Sequence, residues 1–349
     1  MKKIVIVAHG LSDGGAERVA ANLANNFAKQ GNEVSFIAAY SSDKQYKLED
    51  KIEYKYIDTK EKNKFLKLLK RSIMIKKEIN RIKPDIVISF IINELILSNF
   101  EGKYPIIYSL RIDPKIVFQK KLNRFLCKIS YRRARNIVFQ TPDARDFFEE
   151  KIREKGVIIG NPLTPNLPYW DKDNHKKRII TACRLTPQKN LKMLIDGFNE
   201  FNKTHNDFIL ELYGEGPLKE NLEEYCKELQ IESSVCFKGY STDIHNIMAE
   251  STIFALTSDF EGLSNSMLEA LAIGVPTICT DCPPGGAALY IKDGENGFLV
   301  DVGDTRAFTE KLSLLVDNNE LQEKFSKNSP TIRNELNEEN IIKKWNDLF

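Results

Sequence analysis

Long apolar runs are missing from this chain. No stretch approaches the ~20 residues with which an α-helix spans a bilayer. Lys3 is followed at once by the strand-like Ile4–Ala8, too short and too early for a secretory leader. The protein is therefore expected in the cytoplasm. Cysteine is thinly spread, at positions 127, 183, 226, 236, 279 and 282. Only Cys279 and Cys282 are close, and without a second pair or a neighbouring His they predict neither a zinc site nor a redox couple. The 4 histidines are too scattered for metal-ligand spacing. No Gly-x-Gly-x-x-Gly follows the first strand, and no acidic residue obviously ends the second, which disfavours a dinucleotide.

A chain of 349 residues exceeds one ordinary core, so two domains are the default. Hydrophobic residues make up 42%, as in a globular protein. The net charge of +2 conceals a split. Residues 1–165 carry 32 Lys and Arg against 19 Asp and Glu, a net +13; residues 166–349 carry 19 against 30, a net −11. The two halves therefore meet different partners.

Ile4–Ala8 reads as a buried strand, Ala16–Gln30 as a helix and Val34–Ala38 as a second strand. This opening implies a parallel, doubly wound sheet. The intervening loop, His9 to Arg18, contains Gly14-Gly15, a turn or a close approach to phosphate. Pro84–Phe90 and Ile106–Leu110 are further strands. Ligands of such sheets bind beyond the carboxyl ends of the strands, so Arg111 and Asp113 are expected in a site, although Asp113-Pro114 also reads as a structural turn. Asn136–Gln140 is a strand, and Thr141-Pro142-Asp143 caps a helix. Val157–Gly160 leads into Asn161-Pro162, where the first domain ends; the domain is drawn at 1–165, with Leu163–Lys177 as linker.

Two stretches of the basic half are amphipathic. Lys60–Lys83 holds ten basic and two acidic residues among Phe65, Leu66, Leu69, Ile73 and Ile79. Lys115–Arg135 holds eight basic and no acidic residues among Phe118, Leu122, Phe125, Leu126 and Ile129. The bland alternative is a helix with a solvated cationic face. The functional reading is attraction to an anionic membrane surface, where charge and apolar contact add. Nucleic acid is disfavoured, because no RRM, KH, zinc or helix-turn-helix signature accompanies the charge.

The second half opens with the strand Arg178–Cys183, then Arg184-Leu185-Thr186-Pro187-Gln188-Lys189-Asn190 before a helix at Leu191–His205. Arg and Lys so placed either face solvent or clamp a diphosphate, one as a planar fork and one as a point charge. Phe208–Tyr213 runs into Gly214-Glu215-Gly216-Pro217. Val235–Phe237 leads to Gly239-Tyr240. Ile253–Leu256 leads into Thr257–Asp304, the stretch that organises the chain. There Glu261 and Glu269 bracket a helix start at which Ser264, Asn265 and Ser266 offer caps. Gly274-Val275-Pro276 ends the helix, and Thr277–Thr280 is a short strand. A helix N-terminus suits a phosphate, and flanking carboxylates suit hydroxyls on either side. Two glutamates eight residues apart also arise by chance.

Phe260–Pro276 (FEGLSNSMLEALAIGVP) resembles the E-x7-E segment of retaining glycosyltransferases of family 4, and DCPPGG and DGENGFLV continue that pattern. RLTPQKN resembles the family's R-x4-K segment and GGAER its acceptor-side loop. The resemblance spans the chain and is most specific over 178–304. It implies an α/β, GT-B architecture: two Rossmann-like doubly wound parallel-sheet domains facing across a cleft. The acceptor domain would be 1–165, the nucleotide-sugar domain 166–330, and 331–349 a helix crossing back. It implies transfer of a sugar from a nucleoside diphosphate donor, taken as UDP-linked, with retention and with no metal or other cofactor. Arg184, Lys189, Glu261 and Arg111 would be catalytic. Gly14, Gly15, Gly214, Tyr240, Ser264, Asn265, Ser266 and Glu269 would bind donor. His9, Asp13 and Asp113 would face the acceptor, a lipid-linked glycan. The pattern departs at Leu289, where many relatives have Glu, and at Ser264, where Gly is usual. Both departures leave the donor sugar open. A non-catalytic nucleotide-sugar binder and a sugar epimerase of related architecture are the alternatives.

Overall fold

The computed structural model describes residues 1–12, 14–43, 46–91, 103–119 and 121–349. Asp13 and Lys120 lie outside the described residues. The chain divides into two compact units, Met1–Asn161 with Glu339–Phe349, and Pro162–Glu338.

The first unit is built on a seven-stranded sheet ordered β3-β2-β1-β4-β5-β6-β7. The strands are β1 (Lys3–Ala8), β2 (Glu33–Ala38), β3 (Glu53–Tyr56), β4 (Ile86–Ser89), β5 (Ile106–Leu110), β6 (Asn136–Phe139) and β7 (Gly156–Ile158). Every described pairing is parallel. The Val/Ile runs of β1, β4 and β5 are buried throughout, as strands covered on both faces require. Helix α1 (Gly15–Lys29) packs Val19, Ala20, Leu23, Ala24 and Phe27 inward. Helix α2 (Lys64–Ile82) starts where Asn63 accepts hydrogen bonds from the Phe65 and Leu66 N–H groups.

The basic stretch 115–135 is not one helix. A short turn of helix at Pro114–Val117 precedes α3 (Lys121–Arg133), so that Phe118, Cys127 and Tyr131 all enter the core. Strand β3, EYKY, escapes a reading for apolar runs because it is a half-exposed edge carrying Glu53 and Lys55.

The second unit has six strands in the order β10-β9-β8-β11-β12-β13. They are β8 (Lys176–Ala182), β9 (Ile209–Tyr213), β10 (Val235–Gly239), β11 (Ser251–Leu256), β12 (Thr277–Thr280) and β13 (Phe298–Val300). Again the described pairings are parallel. The helices that position the site are α4 (Leu191–Asn202), α5 (Ile244–Ala249) and α6 (Asn265–Ile273). Helix α7 (Glu338–Asn346) follows, and all but its first residue falls in the first unit with buried Ile341, Ile342 and Trp345.

Residues 163–177 do not hang free as a linker. Leu163 and Leu167 are buried, the Trp170 indole donates to Ser251 O (2.8 Å), and Trp170 N–H donates to Ile273 O (2.8 Å). The segment is part of the second unit; the units divide at Asn161/Pro162, the point at which the sequence ends the first domain, and not at the drawn bound of 165/166.

Candidate active site

In a parallel sheet all strands deliver their following loops to one end. In the second unit five of those loops are 183–190 after β8, 214–217 after β9, 240–243 after β10, 257–264 after β11 and 281–286 after β12.

The loops after β8 and β11 are welded together. Lys189 ends a 3-10 turn (Pro187–Lys189), is buried, and its ammonium pairs with Glu261 Oε2. Gln188 Nε2 donates to Phe260 O (2.8 Å) and reaches Glu261 Oε2 (3.5 Å), and the Ser258 hydroxyl donates to the same oxygen (3.4 Å). Asn190 takes a left-handed conformation (φ 42), caps α4 and donates to Asp259 Oδ1 (2.7 Å). Thr257 Oγ1 bonds the Lys189 and Asn190 carbonyls (3.2 and 3.1 Å). Arg184 stands exposed on the same loop. The two family residues expected on separate substrate groups, Lys189 and Glu261, are thus first bonded to each other.

Burial by itself pulls the Lys189 ammonium down, but the Glu261 charge, the Cys183 thiol and the hydrogen bond to Glu261 outweigh it, and the net shift is upward. Stability from this pairing is complete below the ordinary lysine range and is lost only as pH rises through the still higher folded value. A rate profile across neutral pH should therefore show no inflection from Lys189. One that moves in Lys189→Arg would contradict this. Burial also raises the Cys279 thiol strongly and the Cys282 thiol to about 12, so neither supplies a thiolate at neutral pH.

Glycines let these backbones touch. Gly214 has φ +125, and a Cβ there would lie 2.0 Å from Cys183 O. At Gly286 a Cβ would lie 1.9 Å from Gly262 O. Tyr240 follows Gly239 and is 73% exposed, so its ring packs on nothing large. Helix α6 starts as the capping pattern predicts. Ser264 Oγ accepts from Met267 N–H (3.4 Å), the Ser266 hydroxyl lies 3.1 Å away, and Gly274 (φ 90) ends the helix.

Glu269 is 4% exposed in the second turn of α6. Thr164 Oγ1 donates to its Oε1 (2.7 Å), and His245 Nε2 on α5 lies 3.2 Å from its Oε2. Neither neighbour is legible in the sequence, since His245 and Thr164 stand 24 and 105 positions away in no recognisable pattern. The one Asp-x-Asp triplet, Asp171-Lys172-Asp173, is spent locally: Asp171 Oδ1 accepts from the Asp173 and Asn174 N–H groups (3.0 and 3.2 Å). No group of three or more His, Cys, Asp or Glu among the described residues could hold a metal ion.

In the first unit Arg111 follows β5. Its Nε donates to Ser109 Oγ (2.7 Å), its Nη1 to Asn161 Oδ1, and the Phe90 and Trp345 rings flank it at 5.4 and 5.9 Å. Burial pulls it down to about 9, so it stays charged at neutral pH. No carboxylate among the described residues balances that charge, and buried Nη2 has no partner. Asp113 takes the structural role its Asp-Pro context allows. It is 3% exposed and accepts from Lys115 N–H (2.8 Å) at the start of a helical turn. His9, at the end of β1, stacks on Tyr40 (4.6 Å), whose ring also lies 3.9 Å from the Arg71 guanidinium carbon. Gly14 precedes α1 in extended conformation. The Glu17 carboxylate folds back over it, since a Cβ on Gly14 would lie 1.8 Å from Glu17 Oε2, and Gly15 is the first residue of the helix.

Two parallel-sheet α/β units carrying their polar loops at the strand ends make up the GT-B fold, and the class of protein is a glycosyltransferase. Residues 168–331 match the model described as glycosyl transferases group 1, and residues 13–167 that of glycosyltransferase family 4. The chain belongs to glycosyltransferase family 4. It is 29% identical over 365 residues to an uncharacterized glycosyltransferase of Haemophilus influenzae, covering 100% of both chains. It is 26% identical over 358 residues to a Campylobacter jejuni enzyme, covering 95% of this chain and 94% of that one. That enzyme is the N-acetylgalactosamine-N,N'-diacetylbacillosaminyl-diphospho-undecaprenol 4-alpha-N-acetylgalactosaminyltransferase. Among solved structures, Anabaena HepE in complex with UDP and glucose superposes with a TM-score of 0.86 at 17% identity, covering 99% of each chain.

Proposed function

We propose that this chain moves a hexose or N-acetylhexosamine from a nucleoside diphosphate sugar, UDP-linked, to a hydroxyl of a lipid-linked glycan acceptor in the assembly of a bacterial polysaccharide. The observation that carries the reading is the weld of loops 184–190 and 257–264 at the strand ends. Arg184, the Lys189–Glu261 pair and the start of α6 all belong to the second unit. UDP is supported by HepE, and a lipid carrier by the diphospho-undecaprenol in the C. jejuni enzyme's name.

In this reading Arg184, Lys189 and the α6 N-terminus, through Asn265 and Ser266, stabilise charge on the departing diphosphate. Glu261 exchanges part of its bond to Lys189 for a hydroxyl of the donor hexose, and Glu269 holds the ribose. Tyr240 covers the base, and Gly214 lets backbone approach it. Attack from the face the diphosphate leaves gives retention, with the leaving phosphate taking the acceptor proton. Arg111, charged and unbalanced, faces a phosphate. Gly14 and Gly15 admit donor phosphate once Glu17 turns away, and His9 borders the acceptor. Incubation of the enzyme with UDP-sugars and a lipid-linked acceptor, with EDTA present, tests this. The product should keep the donor's anomeric configuration, and its rate should not change with EDTA. An inverted product overturns the mechanism.

Helix α2 supports a reading in which the protein meets an anionic membrane surface. Its core side is Arg71, Ser72, Ile75 and Ile79. A second apolar side is exposed, with Phe65 67%, Leu66 46% and Ile73 65% exposed beside Lys70 and Lys77. A solvated helix would place polar groups there, whereas apolar side chains among cations suit an anionic bilayer surface. No helix among the described residues is long and apolar enough to cross a membrane, so binding would be peripheral, at the cytoplasmic face. Phe65→Ser with Ile73→Ser should reduce flotation with phosphatidylglycerol vesicles at least about tenfold, the loss of two buried side chains. Undiminished flotation would remove α2 from the contact.

A further inference from the structure

Tyr40 and Arg71 lie outside every motif of this chain, yet they stack with His9. His9 follows β1 and Tyr40 follows β2, neighbouring strands whose carboxyl ends lie on the ligand side of the sheet. The His9 and Tyr40 rings are 4.6 Å apart and 6° from parallel. The Arg71 guanidinium carbon lies 3.9 Å from the centre of the Tyr40 ring. Both partners are too close to share one face, so Tyr40 is sandwiched between them. Arg71 is buried and comes from the core side of α2, a helix of 19 residues, whereas Tyr40 and His9 are exposed. The backbone holds the same alignment. His9 O accepts from Tyr40 N–H (2.8 Å) and Ser41 N–H (3.1 Å), and a Cβ on Gly10 would lie 2.9 Å from the Ser41 Cβ. A guanidinium shielded from water over a ring is among the stronger contacts of its kind, and a parallel aromatic pair adds to it. The imidazole is therefore held in place before any ligand arrives.

We propose that Tyr40 and Arg71 are positioning residues of the acceptor site, which fix the His9 imidazole against which the glycan of a lipid-linked acceptor is placed. Both act through His9. The column needs a flat cation at its base, because a guanidinium stacks on an aromatic face where an ammonium offers only a point charge. Its anchors are a helix and two strand ends, which hold an orientation more closely than a loop alone. A side chain free to turn must be ordered when its ligand binds, and that ordering weakens binding. The stack orders His9 in advance. Its effect therefore falls on the acceptor and not on the donor, whose base, ribose and hexose contacts are assigned to the second unit. This rests on the reading of His9 as bordering the acceptor.

The test is steady-state kinetics of the full-length protein. Acceptors are mono- and disaccharyl-diphospho-undecaprenols in vesicles, donors the UDP forms of glucose, galactose and their N-acetylated derivatives, and the pair that wild type couples fastest is used throughout. His9→Ala and Tyr40→Leu should each raise the acceptor KM about three- to tenfold, the scale of one aromatic contact, with the donor KM within about twofold of wild type. Tyr40→Phe, which keeps the ring, should restore the wild-type acceptor KM. Arg71→Lys, which keeps the charge but not the planar fork, should move it in the same direction as Tyr40→Leu. In a His9→Ala background Tyr40→Leu should add nothing further, the non-additivity of residues that act through one another. Misfolding lowers the active fraction without changing a KM, and thermal unfolding of each variant without substrate reports on it separately. If wild type transfers to none of these acceptors, or His9→Ala leaves the acceptor KM unchanged, the acceptor reading of His9 falls and the proposal with it. If His9→Ala raises the acceptor KM and Tyr40→Leu does not, or raises the donor KM equally, His9 keeps its role and the positioning role of Tyr40 and Arg71 is overturned.

Discussion

Lys189→Ala is expected to lower kcat by about 100- to 1,000-fold, or roughly 2.7–4 kcal/mol, the scale for one preorganised donor facing developing charge. The ammonium is costly to bury, and the chain accepts that cost only with a carboxylate alongside. Its pairing with Glu261, and the Gln188, Ser258, Asn190 and Thr257 bonds around it, hold it in one place before substrate arrives. The same substitution strands Glu261, so stability falls as well. The double variant Lys189→Ala/Glu261→Ala separates the two effects. It should recover part of the lost stability while leaving activity as low as the single variant, a coupling that a double-mutant cycle measures directly. Turnover at the wild-type rate in a folded Lys189→Ala protein would remove Lys189 from the chemistry.

Gly214→Ala should be the most damaging single methyl in the second unit. At φ +125 an L side chain is strained by about 1–3 kcal/mol. Overpacking adds about 1–3 kcal/mol more, because the clash is with the Cys183 carbonyl, which cannot rotate away as a side-chain end would. For a unit of this size, each kcal/mol is worth about 2–4 °C in Tm, so a drop on the order of 10 °C is expected in a thermal melt. The damage is directed: Cys183 immediately precedes Arg184, and Gly214 N–H is bonded to Gly239 O (2.8 Å). Pushing these strands apart disturbs three of the five loops. Gly31→Ala is the control, since it shares a positive φ (+86) but its Cβ meets nothing within 4 Å. A loss no larger at Gly214 than at Gly31 would deny the close approach its importance.

The strands that the sequence discloses are those buried on both faces. Ile4–Ala8, Ile106–Leu110 and Thr277–Thr280 stand out because a parallel sheet leaves no polar alternation. Glu53–Tyr56 does not, because one of its faces is open. The start of α6 is legible for a local reason: Ser264 caps it and Gly274 ends it, both within one turn of the bonds they make. Arg184, Lys189, Glu261 and Glu269 come from motif resemblance. What the motif does not contain is pairing across distance. That Lys189 meets Glu261, 72 residues on, follows from β8 and β11 being neighbours in the sheet. That His245 reaches Glu269 follows from α5 packing beside α6. The exposed apolar side of α2 is likewise hidden in sequence, where Phe65 and Ile75 look equally suited to a core.

The central claim is that the strand-end loops of the second unit grip a nucleoside diphosphate. Thermal unfolding of wild type and Glu269→Ala, each with UDP, GDP, ADP and uridine, tests it most directly. A ligand at about 100 times its Kd adds roughly 2.7 kcal/mol of stability. A rise in Tm with UDP, absent with uridine and abolished in Glu269→Ala, is the predicted result. A wild-type protein stabilised by none of the three nucleotides, or one whose UDP response survives Glu269→Ala unchanged, would contradict the account.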